Sequence, residues 1–261
     1  MQLTYDLARY GVPDGQIVVG GIFVYDTWAP AGPNALSLAT LSYYQTFLNK
    51  QVELKLGYLN NSIEFWGPFL AGSLASSIFG SSANIPVEDG INAYARTTPG
   101  INIKFNGPDG FYGKIGIQRA SSPDGPFAEK TANPTALSFT TPNSGVFLIN
   151  EVGYRKDATP DQLATWVRAA PMFTSSRYND FALGGRSTGN YGAYFLADRQ
   201  LLQVAPVAGQ AARGVYAGVG AMYAPPEFNR FSQNYELRLY GIGLMPSREV
   251  VLVSGTVWRL G

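Results

Sequence analysis

The chain is written in segments of roughly ten residues in which apolar and polar side chains alternate, separated by Gly, Pro, Asn and Asp, and that period belongs to β-strands. The clearest segment puts Val52, Leu54, Leu56 and Tyr58 on one face and Glu53, Lys55 and Gly57 on the other. A strand of this kind stands between an apolar medium and an aqueous one.

Composition narrows the chemistry. There is no cysteine, which removes disulfides and thiol catalysis, and no histidine, which removes the commonest general base and metal ligand together with every Ser-His or Cys-His pair. Charged residues make up 14% of the chain, where roughly a quarter is usual for a soluble domain, while aromatics reach 13%. A net charge of +1 offers no basic stripe for nucleic acid. No apolar run is long enough for a transmembrane helix, but a membrane barrel escapes that test because its strands are only half apolar. Residues 1–10 show neither the basic start nor the apolar stretch of a signal peptide.

Strands are expected at 3–10, 16–26, 38–48, 52–58, 101–105, 111–119, 146–154, 163–170, 190–204, 213–223, 234–243 and 250–260, about twelve in all, with the length and spacing of a membrane barrel. Gly20-Gly21 suggests a bulge, and Asn49-Lys50-Gln51 and Asn106-Gly107-Pro108-Asp109-Gly110 read as hairpin turns. Residues 60–95 lack alternation, are rich in Ser, Gly and Ala, and carry Phe65, Trp66, Phe69, Ile78 and Phe79; a loop of that length usually has a function. Tyr10, Tyr25, Tyr58, Tyr154 and Tyr223 fall near strand ends, where barrels place an aromatic girdle. Gly218-Val219-Gly220 lies inside a strand and lacks the third glycine and the helix of a dinucleotide loop. With no linker and no internal repeat, residues 1–261 read as one domain.

Four blocks then occur in a recognisable order. They are Leu41-Ser42-Tyr43-Tyr44-Gln45 with 52–57 and Glu64-Phe65; Glu151-Val152-Gly153-Tyr154; Gly189-Asn190-Tyr191-Gly192 with Asp198-Arg199-Gln200; and Gly241-Ile242-Gly243-Leu244-Met245-Pro246-Ser247-Arg248. In these blocks the chain resembles the carbohydrate-selective porin family, OprB type. The resemblance implies an all-β protein of the bacterial outer membrane, an antiparallel transmembrane β-barrel of about sixteen strands with a long loop folded inward, passing sugars by diffusion without a cofactor. It departs from the family pattern at both ends and has Glu249 where a Pro is expected, so a partial barrel is anticipated, one that this chain does not close alone.

A sugar presents hydroxyls, which ask for charged and amide partners, and C–H faces, which stack on aromatic rings. On the expected inward faces Glu53, Lys55, Lys104, Lys114, Glu151, Arg168 and Arg238 supply both signs, and Glu64, Phe65 and Trp66 in the long loop complete the expected pore-lining and sugar-binding set. Loop aromatics serve more often as anchors than as ligand platforms. The adjacent acids Glu88 and Asp89 read as solvated loop charges, or else as a weak cation site. The expected partners are mono- or disaccharides and outer-membrane lipid, with the barrel a monomer or a homotrimer. Two other classes compete: a secreted carbohydrate-binding β-sandwich, and a glycan-active enzyme that would use Glu64 and Glu151 if the long loop brought them together.

Overall fold

The computed structural model describes residues 2–25, 35–66, 84–92, 96–204, 209–245 and 248–260. Twelve strands form one antiparallel sheet in sequential order, with no crossover. They are β1 (Gln2–Asp6), β2 (Gln16–Val24), β3 (Ala35–Phe47), β4 (Val52–Leu59), β5 (Thr98–Asn106), β6 (Phe111–Arg119), β7 (Val146–Lys156), β8 (Thr165–Asn179), β9 (Arg186–Gln203), β10 (Gly214–Tyr223), β11 (Phe231–Met245) and β12 (Arg248–Leu260). Two short helices, α1 (Asn84–Glu88) and α2 (Pro126–Ala132), lie in the β4–β5 and β6–β7 loops. A single sheet is not the two facing sheets of a sandwich. Among the described residues β1 and β12 each pair on one side only, so the described strands form an open sheet.

Where strand boundaries differ from expectation, the backbone supplies the reason. The first strand stops at Asp6 because the Asp6 carboxylate accepts the Ala8 N–H at 2.8 Å and starts a single 3-10 turn over Ala8–Tyr10. The eighth runs on to Asn179, past a proline that reads as a strand breaker. Pro171 falls where the β7–β8 ladder is interrupted, between the Val152↔Ala169 and Ile149↔Met172 pairs, so no ladder bond needs its missing N–H. The register slip between Gly20 and Gly21 is the anticipated bulge. At the β3–β4 turn Leu48, Asn49 and Lys50 all adopt positive φ, and the β5–β6 turn uses Asp109 and Gly110 in the same region.

One face of the sheet is apolar and open. Leu56, Ile101, Ile117, Leu148, Phe173 and Tyr191 stand directly opposite one another across β4 to β9, all with outward, exposed side chains. A contiguous apolar row of this width has no place in water and fits the acyl core of a bilayer. Of the tyrosines expected in a girdle, Tyr10 and Tyr154 sit by the end with short turns and Tyr25, Tyr58 and Tyr223 by the end with long loops, bounding the apolar band. No described helix is long and apolar enough to cross a membrane.

The opposite face carries the core. Phe147, Ile149, Met172, Tyr194, Leu196 and Met222 from the strands close over Phe65, Ile85 and Ile91 of the β4–β5 segment. The described parts of the β4–β5 segment, 60–66 and 84–92, therefore pack against the inward face.

Candidate functional site

The inward positions of the central strands form a row of charge. Glu53, Lys104, Lys114 and Glu151 are direct cross-strand neighbours over β4 to β7. Lys104 and Lys114 face each other, and like charges so placed repel; each is drawn to an acid on its outer side. Lys104 Nζ donates to Glu53 at 3.0 Å, and Lys114 Nζ lies 3.4 Å from Glu151. Lys114 also donates to the Glu64 carbonyl, and Lys55 pairs with the Glu64 carboxylate, which ties the start of the long loop to the wall.

The row continues through β8 to β11. Arg168 lies 4.0 Å from Glu151 and 3.9 Å from Asp198, and Arg238 donates to Asp198 at 3.1 Å and to Glu236 at 3.0 Å. Arg238 reaches Asp198 across β10 because the residue between them in the register is Gly218. A Cβ there would lie 2.2 Å from the Asp198 carboxylate and 2.9 Å from the guanidinium. Gly153 makes room for the Tyr112 ring and Gly116 for the Phe65 ring in the same way. Hydroxyls complete the network: Tyr112 and Tyr194 donate to Glu151 at 3.0 and 2.5 Å, and Tyr240 to Asp198 at 3.3 Å.

Three residues expected to line the pore are therefore not at its surface. Glu151, Arg168 and Arg238 point inward but are 0%, 1% and 3% exposed, and they brace the wall. Burying charge is costly unless signs alternate and hydrogen bonds are satisfied. Here Lys114, Arg168 and Arg238 alternate with Glu151, Asp198 and Glu236, so the cost is offset within the row. The sequence reading missed Asp198, Glu236, Tyr112 and Trp166, although Asp198 lies in one of the resembling blocks and shares strand parity with inward Tyr194 and Leu196.

The other charges do meet open space. Glu53, Lys55, Glu64, Lys104 and Lys114 line a cavity of about 530 Å³ toward the short-turn end, with Asn102, Asn106, Arg155 and Asp157 and the rings of Tyr44, Phe111, Tyr112 and Trp166. Trp166 is the element that links cavity to ladder. Its ring lies 3.6 Å from the buried Arg168 guanidinium and 5.0 Å from that of Arg155, and its Nε1 donates to Tyr112 Oη at 2.8 Å. The ladder thus sets the position of an indole that a solute in the cavity would meet.

Phe65 is corrected from a stacking surface to an anchor: it is 1% exposed, packed in the core beneath Lys114, whose Nζ lies 4.4 Å from the ring centroid. The Trp66 side chain, Phe69, Ile78 and Phe79 lie outside the described residues, as does the side chain of Arg248. Asn61, Asn92 and Asn102 tie the ends of the long loop to the wall: Asn102 Nδ2 donates to Asn61 Oδ1 at 2.7 Å, and Asn92 Oδ1 accepts the Asn61 N–H at 2.8 Å.

The solvated reading of the acidic pair is also corrected. Asp89 is fully buried, accepting Asn190 Nδ2 at 3.0 Å, with its second oxygen in the space left by Gly192. Burial first, and the neighbouring Glu88 second, push the Asp89 carboxyl well above the usual carboxylate range. Among the described residues no group of three or more acids could hold a metal ion. Lys114 touches the Glu64 backbone carbonyl and the Glu151 carboxylate, but the Glu64 carboxylate is turned to Lys55 and Glu151 is sealed from any substrate, so the enzyme reading gains no pair of working acids.

The comparisons agree with this geometry. No curated protein matches the chain. The high-pH structure of Pseudomonas putida OprB is similar with a TM-score of 0.77 at 13% identity, over 99% of this chain and 67% of that one. The low-pH structure of the same protein gives 0.56 at 11% identity, over 98% and 67%. The family described as "Carbohydrate-selective porin, OprB family" matches residues 10–250. With that match across nearly its whole length, the chain belongs to the carbohydrate-selective porin family, OprB type, whose members are outer-membrane channels and not enzymes.

Proposed function

We propose that the chain, as one domain over residues 1–261, forms the selective wall of a pore through which neutral mono- or disaccharides pass by passive diffusion. The observation that carries this reading is the short-turn cavity. It sets four cations (Lys55, Lys104, Lys114, Arg155) against three anions (Glu53, Glu64, Asp157), with Asn102 and Asn106 between them and Tyr112 and Trp166 as ring surfaces. Near-balanced charge suits hydroxyls, which both donate and accept, better than it suits an anion. The lysines already bonded to acids exchange those bonds for bonds to the sugar at little net cost, so the solute finds many weak contacts and no deep trap. The outward row of Leu56, Ile101, Ile117, Leu148, Phe173 and Tyr191 contacts outer-membrane lipid. Nucleic acid has no part in this reading, and the pore works as a monomer or a homotrimer.

Single-channel conductance in a planar bilayer tests it. Stable steps that glucose or maltose blocks in a concentration-dependent way are expected. Replacing Trp166 by Ala is expected to raise the half-blocking concentration about three- to tenfold while the open conductance changes little, as for loss of one ring contact. Unaltered block in that variant would remove the cavity as the sugar site.

A further inference from the structure

A second cavity, of about 450 Å³, opens at the long-loop end of the wall, the opposite end from the cavity described above. Four separate pieces of chain supply its lining: Glu88 of α1; Pro126 and Phe127 of α2; Phe181 of the β8–β9 turn; and Phe228 and Arg230 of the β10–β11 loop. Phe127 and Phe181 both line this space and are 64% and 55% exposed, so they do not fill a core. Arg96 also lines it, although it is only 6% exposed. Its Nη1 donates to the Asn133 carbonyl at 3.3 Å. The carboxylate beside it, Glu129, is already taken by Arg119 at 2.7 and 3.1 Å and by the Ser122 N–H at 2.8 Å. A guanidinium has five donors, and Arg96, anchored through Nη1 at the Asn133 carbonyl, has further donors to offer a solute.

Resting on the porin reading, we infer that this cavity is a second carbohydrate site, taking a neutral sugar ring at the long-loop mouth before it reaches the inner cavity. The size lies within the roughly 300–1,000 Å³ of small-molecule sites. The C–H face of the ring lies on Phe127 and Phe181, Arg96 donates to hydroxyl oxygens, and the Glu88 carboxyl accepts a hydroxyl hydrogen. Two half-exposed rings on separate loops, converging on one buried cation, match a ligand that is apolar on its faces and polar at its rim.

The test uses a local reporter. The full chain carrying Phe181→Trp, folded in detergent, is titrated with glucose, and the indole emission is read as the difference from the unsubstituted chain, whose Trp166 reports the inner cavity. A saturable change is expected, with apparent affinity lowered about tenfold by adding Arg96→Met, the loss expected for a hydrogen bond from a charged donor. Phe127→Ala, which removes a mostly exposed ring, should weaken the response without touching the buried arginine. The absence of a saturable change, or one that survives both substitutions, overturns the site. A channel that conducts and is blocked by sugar while this titration stays silent rejects the outer site alone. A chain that never conducts yet shows the Arg96-dependent titration rejects the pore reading alone.

Discussion

Gly218 offers the sharpest perturbation. It sits in β10 between Asp198 and Arg238, and a methyl group there would stand 2.2 Å from Asp198 Oδ1 and 2.9 Å from Arg238 Nε and Nη2, so the two charged side-chain ends would have to move apart to admit it. Gly218→Ala must therefore part an ion pair now closed at 3.1 and 3.2 Å, in a site where neither side chain is more than 3% exposed. Breaking a buried pair costs roughly 3–5 kcal/mol when the remaining charge is uncompensated. Arg168, 3.9 Å from Asp198, and the Tyr240 hydroxyl retain part of the compensation, and alanine in a strand recovers up to about 1 kcal/mol over glycine. The net expectation is a loss of about 2–3 kcal/mol. Gly113→Ala in β6 is the control, because a Cβ there meets nothing within 4 Å; it should be neutral or stabilising by under about 1 kcal/mol. Urea unfolding in detergent, followed by tryptophan emission, reads both, with the Gly218 midpoint displaced by about 1 M. Equal midpoints for the two variants would refute the view that the buried ladder is held by the gap at Gly218.

Further expectations concern the long loop. Gly192→Ala places a Cβ 1.9 Å from the Asp89 carboxylate, so α1 should leave the wall, and amide exchange over residues 84–92 should accelerate about tenfold or more. The Asp89 carboxyl is raised by burial and by Glu88, so the docked loop binds a proton that a released loop gives up near the ordinary value of about 4. Docking is therefore at full strength below that ordinary value and weakens as pH rises toward the raised one. Exchange at 84–92, corrected for its intrinsic pH dependence, should show this slope, and Asp89→Asn should abolish it; an unchanged slope in Asp89→Asn would place the proton elsewhere, with Glu88 the next carboxyl. At the short-turn end, Arg168→Met should disturb sugar block without meeting the sugar, because Arg168 acts through Trp166. A block unchanged in Arg168→Met but altered in Trp166→Ala would show that the indole keeps its place unaided.

The twelve strands and their order were legible in the sequence because each rests on a local signal, whereas the inward packing of 60–66 and 84–92 was implied only by the family resemblance. Period-two alternation assigns faces, and turn residues such as Asn106-Gly107-Pro108-Asp109-Gly110 assign reversals. The same alternation placed Glu53, Lys104, Lys114 and Glu151 on one face, and the register sets them in one row. Which of the inward charges a solute meets was not legible. Parity along a strand says that Arg168 and Arg238 point inward, but not that both are buried beside Asp198. That depends on contacts between different strands, such as those of Arg168 and Arg238 with Asp198, and on the absence of a side chain at Gly218, Gly153 and Gly116, where the sequence shows only a strand glycine. Phe65 and Asp89 carry the same lesson. A loop aromatic reads as either anchor or platform and a loop acid as solvated until the segment is laid against the wall, and only the tertiary structure decided that Phe65 is a core anchor and Asp89 a buried carboxyl.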